Sequence, residues 1–151
     1  MLDNLWENFR ESAEKHAEKA AFRYVRDKKW LDVSYRSLER SACSLSALLA
    51  EKGLRFGDRV AVAVSNGPEW PLIFFGVMRS GGVSVPVSAS AGIEEARGIV
   101  RDAGCAMLFS DREELLSLAA GSGVKVFSVK GPEFVAVMRG HSRGDGSDDG
   151  R

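Results

Sequence analysis

The sequence has few of the residues that build catalytic and metal centres. Its 151 residues include only two histidines and two cysteines. His16 and His141 have no second histidine or cysteine at ligand spacing, so we expect no metal site. Cys43 and Cys105 lie far apart and form no Cys-x-x-Cys pair, which favours buried thiols in a reducing compartment over a disulfide framework.

An excess of charge of one sign is also absent. The 21 Lys and Arg residues balance the 21 Asp and Glu residues, which argues against a nucleic-acid binder and a polybasic membrane anchor. The longest apolar run, residues 70–78, is far shorter than the roughly 20 residues of a membrane span. Residues 1–10 contain acidic side chains and no apolar run, so we expect no signal peptide and a cytoplasmic protein.

Glycine, by contrast, is abundant, with 16 residues, yet none of them forms a phosphate-binding loop. A dinucleotide fingerprint requires G-x-G-x-x-G between a strand and a helix. The segment Gly121-Ser122-Gly123 instead follows a predicted helix and precedes a predicted strand. No G-x-x-x-x-G-K-[ST] loop is present either, so we interpret most glycines as turns and helix C-caps.

The first third of the chain predicts a helix, a hairpin and a second helix. Apolar residues recur at helical spacing in the first segment, with Asp3 available as its N-cap. Two β-like runs, 21–25 and 30–33, flank a polar turn and predict a hairpin. Ser34 then caps a long amphipathic helix that ends at Gly53.

The pattern changes character after Asp58. Residues 60–64 are a continuous apolar run, which is typical of a parallel strand that is covered on both faces. Strands and helices then alternate. Asp111 and Glu114, which are three residues apart, resemble the capping box that begins a helix. The further predicted elements are strands at 83–87, 106–109 and 124–129, helices at 70–78, 93–103 and 112–120, and a short apolar segment, 134–138, that is open to a helical reading.

This alternation predicts an α/β fold. We expect a three-layer sandwich with a mostly parallel sheet, to which the N-terminal helix and β-hairpin are appended. Residues 1–140 form one domain in this interpretation. Residues 141–151 contain no apolar side chain, so we expect a disordered tail or linker.

Four serines follow strands of the predicted sheet: Ser65, Ser88, Ser90 and Ser110. The carboxyl ends of such strands are where ligands bind in open α/β sheets, so Ser65, Ser88 and Ser90 are candidate binding residues. Serine is also an ordinary loop and N-cap residue, which leaves a purely structural role open. No Ser-His-Asp or Cys-His constellation can be assembled, and we identify no catalytic residue.

Three stretches in the same order resemble the N-terminal portion of the AMP-forming acyl-CoA synthetases. Residues 33–38 (Val-Ser-Tyr-Arg-Ser-Leu) resemble the family's helix opening, and residues 57–62 (Gly-Asp-Arg-Val-Ala-Val) resemble its strand entry. Asn66 and Glu69 fit the Asn-x-x-Glu that follows this strand. Residues 78–87 resemble the Lys-x-Gly-Ala-x-x-x-Pro-Leu element. Each motif is weak alone, but their order and spacing agree.

The matched positions predict structural roles. Gly81 is expected to be a left-handed C-cap, Pro86 to lie near a strand end or edge, and Asp58 to fix the turn into the central strand. The sequence departs from the family at Ser88-Ala89, where Asn-Pro is usual. It departs again at Ser90, where some members place a basic residue that faces the CoA phosphates.

The resemblance implies that residues 1–140 are the N-terminal subdomain of the family's AMP-binding domain. The whole enzyme would join a carboxylate to ATP, form an acyl-adenylate and transfer the acyl group to CoA. ATP, Mg²⁺ and CoA would be its cofactors. The family's Ser/Thr/Gly-rich loop ending in Lys is not in these 151 residues, so we expect this chain alone to bind no cofactor and be inactive. Its partner would be the remainder of the synthetase. In the whole enzyme the sheet should pack against later segments, so we expect the isolated chain to expose an apolar face and to associate with itself. A free-standing α/β binding module and an unrelated flavodoxin-like binder are the alternatives.

Overall fold

The computed structural model describes residues 4–119 and 121–139, so the predicted tail, residues 141–151, lies outside the described residues. The described part alternates helices and strands. The helices are α1 (Leu5–Lys15), α2 (Tyr35–Glu51), α3 (Glu69–Arg79), α4 (Ile93–Asp102), α5 (Glu113–Ala119) and α6 (Pro132–Arg139). The strands are β1 (Ala20–Arg26), β2 (Lys29–Ser34), β3 (Arg59–Ala63), β4 (Val83–Pro86), β5 (Met107–Ser110) and β6 (Lys125–Ser128).

The predicted α/β fold is confirmed. Strands β3 to β6 form a four-stranded parallel sheet in the order β4-β3-β5-β6, while β1 and β2 form a separate antiparallel hairpin. As the continuous apolar run predicts, β3 is covered on both faces, since residues 60–63 are fully buried. Pro86 ends the edge strand β4, where a missing ladder donor costs little.

The sheet is the middle of three layers, because its two faces belong to two separate apolar clusters. Val60, Val62 and Phe109 face a cluster that includes residues of α1, α2, α3 and α6. Ala61, Ala63 and Leu108 face a second cluster, which includes residues of α4 and α5. This alternation along β3 is the period of two that a strand imposes on its side chains.

Two helix ends show how local sequence sets the element boundaries. Helix α1 is capped by Asn4, whose Oδ1 accepts a hydrogen bond of 2.9 Å from the Glu7 amide, so the prediction of Asp3 as N-cap is wrong by one residue. At the end of α3, Gly81 has φ +73°. The Gly81 amide donates to the Met78 carbonyl and the Gly82 amide to the Val77 carbonyl. This Schellman motif confirms the predicted left-handed C-cap.

The hairpin turn places two non-glycine residues in the left-handed region, Asp27 at φ +51° and Lys28 at φ +63°. Two such residues between paired strands form the type I′ geometry that favours glycine at the second position. We expect Lys28→Gly to raise the free energy of unfolding by about 0.5–1 kcal/mol. Lys29→Gly, inside β2, should lower it by a similar amount. Urea denaturation of both variants tests this, and a destabilising Lys28→Gly would contradict it.

Candidate functional site

The four parallel strands end at one edge of the sheet, and two of them flank a change in winding direction. The chain passes from β3 to β4 on one side, then crosses back to β5 on the other side of β3. The crevice between the carboxyl ends of β3 and β5 is therefore a topological switch point, the usual ligand position in open α/β sheets. We call the loops that follow β3, β4 and β5 the carboxyl edge.

The three predicted binding residues all lie on this carboxyl edge and are all exposed. Ser88 and Ser90 form a local pair after β4, with 2.9 Å between their hydroxyl oxygens and a 3.3 Å bond from the Ser90 amide to Ser88 Oγ. Ser65 follows β3, and its amide donates to Asp111 Oδ2 at 3.1 Å. The structure therefore joins Ser88 to Ser90 and Ser65 to Asp111.

Ser110, the fourth serine of the pattern, has a structural role. Its side chain is fully buried at the end of β5. Its hydroxyl donates to the Ala63 carbonyl at 2.9 Å and accepts a bond of 3.0 Å from the Arg112 amide. The Ser110 hydroxyl thus ties the end of β5 to the end of β3 across the switch point.

Asp111 is the residue that the sequence interpretation assigned wrongly. Its carboxylate does not act as the predicted capping-box partner of α5. It instead accepts a hydrogen bond from the Ser65 amide, which is distant in sequence, and this fastens the loop after β3. The other carboxylate oxygen, Oδ1, is buried and has no hydrogen-bond partner in the described part of the chain. The contact follows from the strand order, which places the end of β5 beside the end of β3, and no local sequence signal indicates it.

The sequence pattern does not single out Arg112 either, because it places this residue at the first position of the predicted helix 112–120. Its Nη1 donates to the Ala91 carbonyl at 2.8 Å, which fixes the loop after β4. Ser110, Asp111 and Arg112 therefore contact the end of β3 at Ala63, the loop after β3 at Ser65 and the loop after β4 at Ala91. This tripeptide, which we call the 110–112 clamp, positions the loops that a ligand would meet.

The surroundings of Asp111 lower its pKa. Burial raises the pKa of the carboxyl group, but hydrogen bonding from Ser65 and the positive charge of Lys130 outweigh burial and hold it below its ordinary value. The carboxylate therefore stabilises the fold at neutral pH. This contribution is present above the unfolded pKa of about 4 and is lost as the pH falls through the lower folded pKa.

We accordingly expect Asp111→Asn to destabilise the protein at pH 7, by about 1 kcal/mol for a weakened charge-assisted hydrogen bond. The difference from the unsubstituted protein should shrink as the pH falls from 5 to 3. Urea denaturation across this range measures the difference directly. A difference that stays constant or grows at low pH would rule out the stabilising role of the Asp111 carboxylate.

The charged groups of the 110–112 clamp bind backbone atoms of the carboxyl edge. Within residues 4–119 and 121–139, no group of three or more His, Cys, Asp or Glu side chains is arranged to hold a metal ion. The one carboxylate of the 110–112 clamp is engaged by a backbone amide, and its arginine by a backbone carbonyl. The same part of the chain has no helix long and apolar enough to cross a membrane.

Two curated proteins are similar to the chain over most of its length. A carboxylic acid reductase of Mycobacterium tuberculosis is 32% identical over 114 residues, which are 75% of this chain and 9% of that protein. A long-chain-fatty-acid–CoA ligase of Mycobacterium bovis is 24% identical over 91 residues, which are 60% of this chain and 15% of that protein. The chain thus spans less than one sixth of the length of either relative.

The fold is shared with a solved adenylation domain. The structure of NpsA-ThdA, an artificially fused adenylation-PCP di-domain NRPS from Klebsiella oxytoca, matches with a TM-score of 0.75 and 23% sequence identity. The match covers 93% of this chain and 24% of that one. The family model described as "AMP-binding enzyme" matches residues 9–143, which contain the parallel sheet and the whole carboxyl edge. The chain therefore belongs to the AMP-binding enzyme family.

Proposed function

We propose that the chain is the N-terminal part of an AMP-forming acyl-CoA synthetase. The whole enzyme would join a carboxylate to ATP, release pyrophosphate and pass the acyl group from the acyl-adenylate to the CoA thiol. The observation that carries this proposal is the family match over residues 9–143. The acyl-CoA branch is supported by the ordered motifs at 33–38, 57–62 and 78–87 and by the fatty-acid CoA ligase relative.

The role of this chain in that reaction is to hold the carboxyl edge in place. The 110–112 clamp fixes the loops after β3 and β4, and Ser65, Ser88 and Ser90 are the side chains those loops offer to a ligand. The described residues do not fit a Mg²⁺ site, since they bring together no set of carboxylates. We assign ATP, Mg²⁺ and CoA binding to the remainder of the longer chain, because these 151 residues have no phosphate-binding loop.

The remainder of the synthetase is the partner that we propose. The hairpin packs one face on the first core cluster through Val33, Phe22 and Tyr24, and its other face is uncovered. Its outer face presents Val25 and Trp30, which are cross-strand partners and are 56% and 71% exposed. Phe56, 91% exposed, and Val83, the first residue of the edge strand β4, are further exposed apolar side chains, which we call the second surface. Later segments of the synthetase would cover both surfaces.

Without those segments, we expect the chain to associate with itself through the hairpin face. Light scattering over a range of protein concentrations should show a mass above that of one chain. Trp30→Ser should reduce the association. Phe56→Ser, which changes the second surface, should leave the association through the hairpin face unchanged. A constant mass of one chain at all concentrations would contradict this expectation.

ATP–pyrophosphate exchange tests the proposed function. With this chain alone and a panel of fatty, aromatic and amino acids, we expect no exchange above background, because nothing in it stabilises the leaving pyrophosphate. A longer product of the same gene that includes a phosphate-binding loop should catalyse exchange. Exchange by the isolated chain would overturn the assignment of chemistry to the remainder.

Two other functions have specific support. The solved adenylation-PCP protein favours a peptide-synthetase adenylation domain, in which the acyl group goes to a carrier protein. Acyl transfer by the longer product to free CoA, compared with transfer to a carrier protein, separates these two classes.

The three-layer core favours a free-standing, non-catalytic binding module. A cooperative melt of a strictly monomeric chain, together with no longer gene product, would support that reading.

A further inference from the structure

A second concave site lies at the opposite edge of the sheet, away from the candidate site. A cavity of about 280 Å³, open to solvent, lies between α4, α5 and the segment that leads into β6. Cys105 and Val124, which line it, come just before β5 and β6, so the cavity is at the amino ends of these strands. The 110–112 clamp and the candidate serines are at the carboxyl ends and take no part in it.

The walls of the cavity are largely apolar, and Ser122 adds one hydroxyl to them. Val100, Cys105 and Leu115 are buried side chains of the second core cluster, and Val124 packs against the same cluster. Gly104, which also lines the cavity, is in the left-handed region at φ +63° and has open space where a side chain would start. The cavity therefore stays open at this point because the turn after α4 carries no side chain.

The mouth of the cavity is cationic. Arg97 and Arg101 are one helical turn apart on α4, so both lie on the face that borders the cavity. Their ion pairs are exposed contacts within α4, to Glu94 at 3.8 Å and to Asp102 at 3.0 Å. Exposed pairs of this kind are weak, so an incoming anion can replace them. Guanidinium groups bind carboxylates and phosphates through two parallel hydrogen bonds.

We propose that this cavity binds a small amphipathic anion. The apolar body of the ligand would lie against Val100, Cys105, Leu115 and Val124, and its carboxylate or phosphate head would pair with Arg97 and Arg101. The volume is just below the range of drug-sized pockets, which restricts the ligand to roughly the size of one substituted ring. The proposal is independent of the proposed function, because it uses none of the residues of the carboxyl edge.

NMR titration of the ¹⁵N-labelled chain tests the proposal, with benzoate, phenyl phosphate and neutral benzamide as probes. We expect saturable shifts centred on Cys105, Leu115 and Val124 with at least one of the two anions. Benzoate and phenyl phosphate together distinguish a carboxylate site from a phosphate site. Benzamide should bind at least about tenfold more weakly, because it lacks the charge-assisted bonds.

Removing the cationic mouth should weaken binding without unfolding the protein. The double variant Arg97→Ala/Arg101→Ala is expected to raise the dissociation constant of the preferred anion about tenfold or more. Arg10→Ala, which removes an exposed charge outside the cavity, is the matched control and should leave it unchanged. Benzamide binding as tight as that of the anions, or an unchanged constant in the double variant, would overturn the proposal.

The two cysteines provide a second readout. Burial raises the pKa of the Cys105 thiol, partly offset by the charge of Arg59, so its alkylation should be slow. A bound anion should slow alkylation of Cys105 further and leave the more exposed Cys43 unaffected. Saturable shifts confined to Ser65 and Asp111, or no saturable shift with either anion, would show that the cavity is not a binding site.

Discussion

Phe109→Ala should lower the free energy of unfolding by about 3–5 kcal/mol, the largest effect that we expect of any single substitution. Phe109 lies on the interior strand β5 and is fully buried. Its ring stacks on Phe127 at a centroid distance of 5.0 Å and contacts Phe134 at 5.9 Å. Alanine would remove the ring that joins β5, β6 and α6, and the surrounding strands could close the cavity only in part.

Urea denaturation followed by circular dichroism measures this loss. Phe56→Ala is the matched control, because it removes the same ring from a site that is 91% exposed and should change stability by no more than about 0.5 kcal/mol. If Phe109→Ala does not fold, Phe109→Leu, which keeps most of the apolar volume, should show a smaller loss in the same direction. Equal stability of the Phe109 and Phe56 alanine variants would contradict the placement of Phe109 in the buried core.

Gly76→Ala should also be destabilising, although alanine is the better helix former. A Cβ at position 76 would lie 2.7 Å from Leu45 Cδ2, 2.9 Å from its Cγ and 3.0 Å from its Cβ. Leu45 is fully buried on α2, and its Cβ cannot move away without its backbone. Overpacking of this kind costs about 1–3 kcal/mol. The gain in helix propensity is at most about 1 kcal/mol, so we expect a net loss of about 1–2 kcal/mol.

Gly98→Ala is the control for this interpretation. Gly98 is also inside a helix, α4, but a Cβ there would have no atom within 4 Å. Only the propensity gain remains, so the variant should be more stable by up to about 1 kcal/mol. The midpoints of thermal and urea denaturation should therefore fall for Gly76→Ala and rise for Gly98→Ala. A Gly76→Ala protein that is as stable as Gly98→Ala would show that α2 and α3 do not approach closely at Gly76.

The parts of the fold that the sequence predicts are those set by local patterns. The apolar run at 60–64 predicts a strand covered on both faces, and Gly81-Gly82 predicts the end of a helix, since both signals lie within a few residues. The exact N-cap of α1 is harder to predict, because Asp3 and Asn4 are adjacent and both are good capping residues. The structure selects Asn4.

The 110–112 clamp could not be predicted in the same way. The spacing of Asp111 and Glu114 matches a local capping box, and nothing near them in the sequence indicates that the Asp111 carboxylate binds the Ser65 amide instead. The contact exists because β3 and β5 are neighbours in the sheet, which follows from the strand order and not from local patterns. The bond from Arg112 to the Ala91 carbonyl depends on the same strand order.

We propose that this chain is the scaffold part of a longer adenylate-forming enzyme. Immunoprecipitation with an antibody against these 151 residues, followed by intact mass measurement and peptide sequencing, tests it most directly. We predict a polypeptide several times the mass of this chain, containing a Ser/Thr/Gly-rich segment that ends in lysine. A polypeptide of 151 residues as the sole species in the cell would contradict the claim.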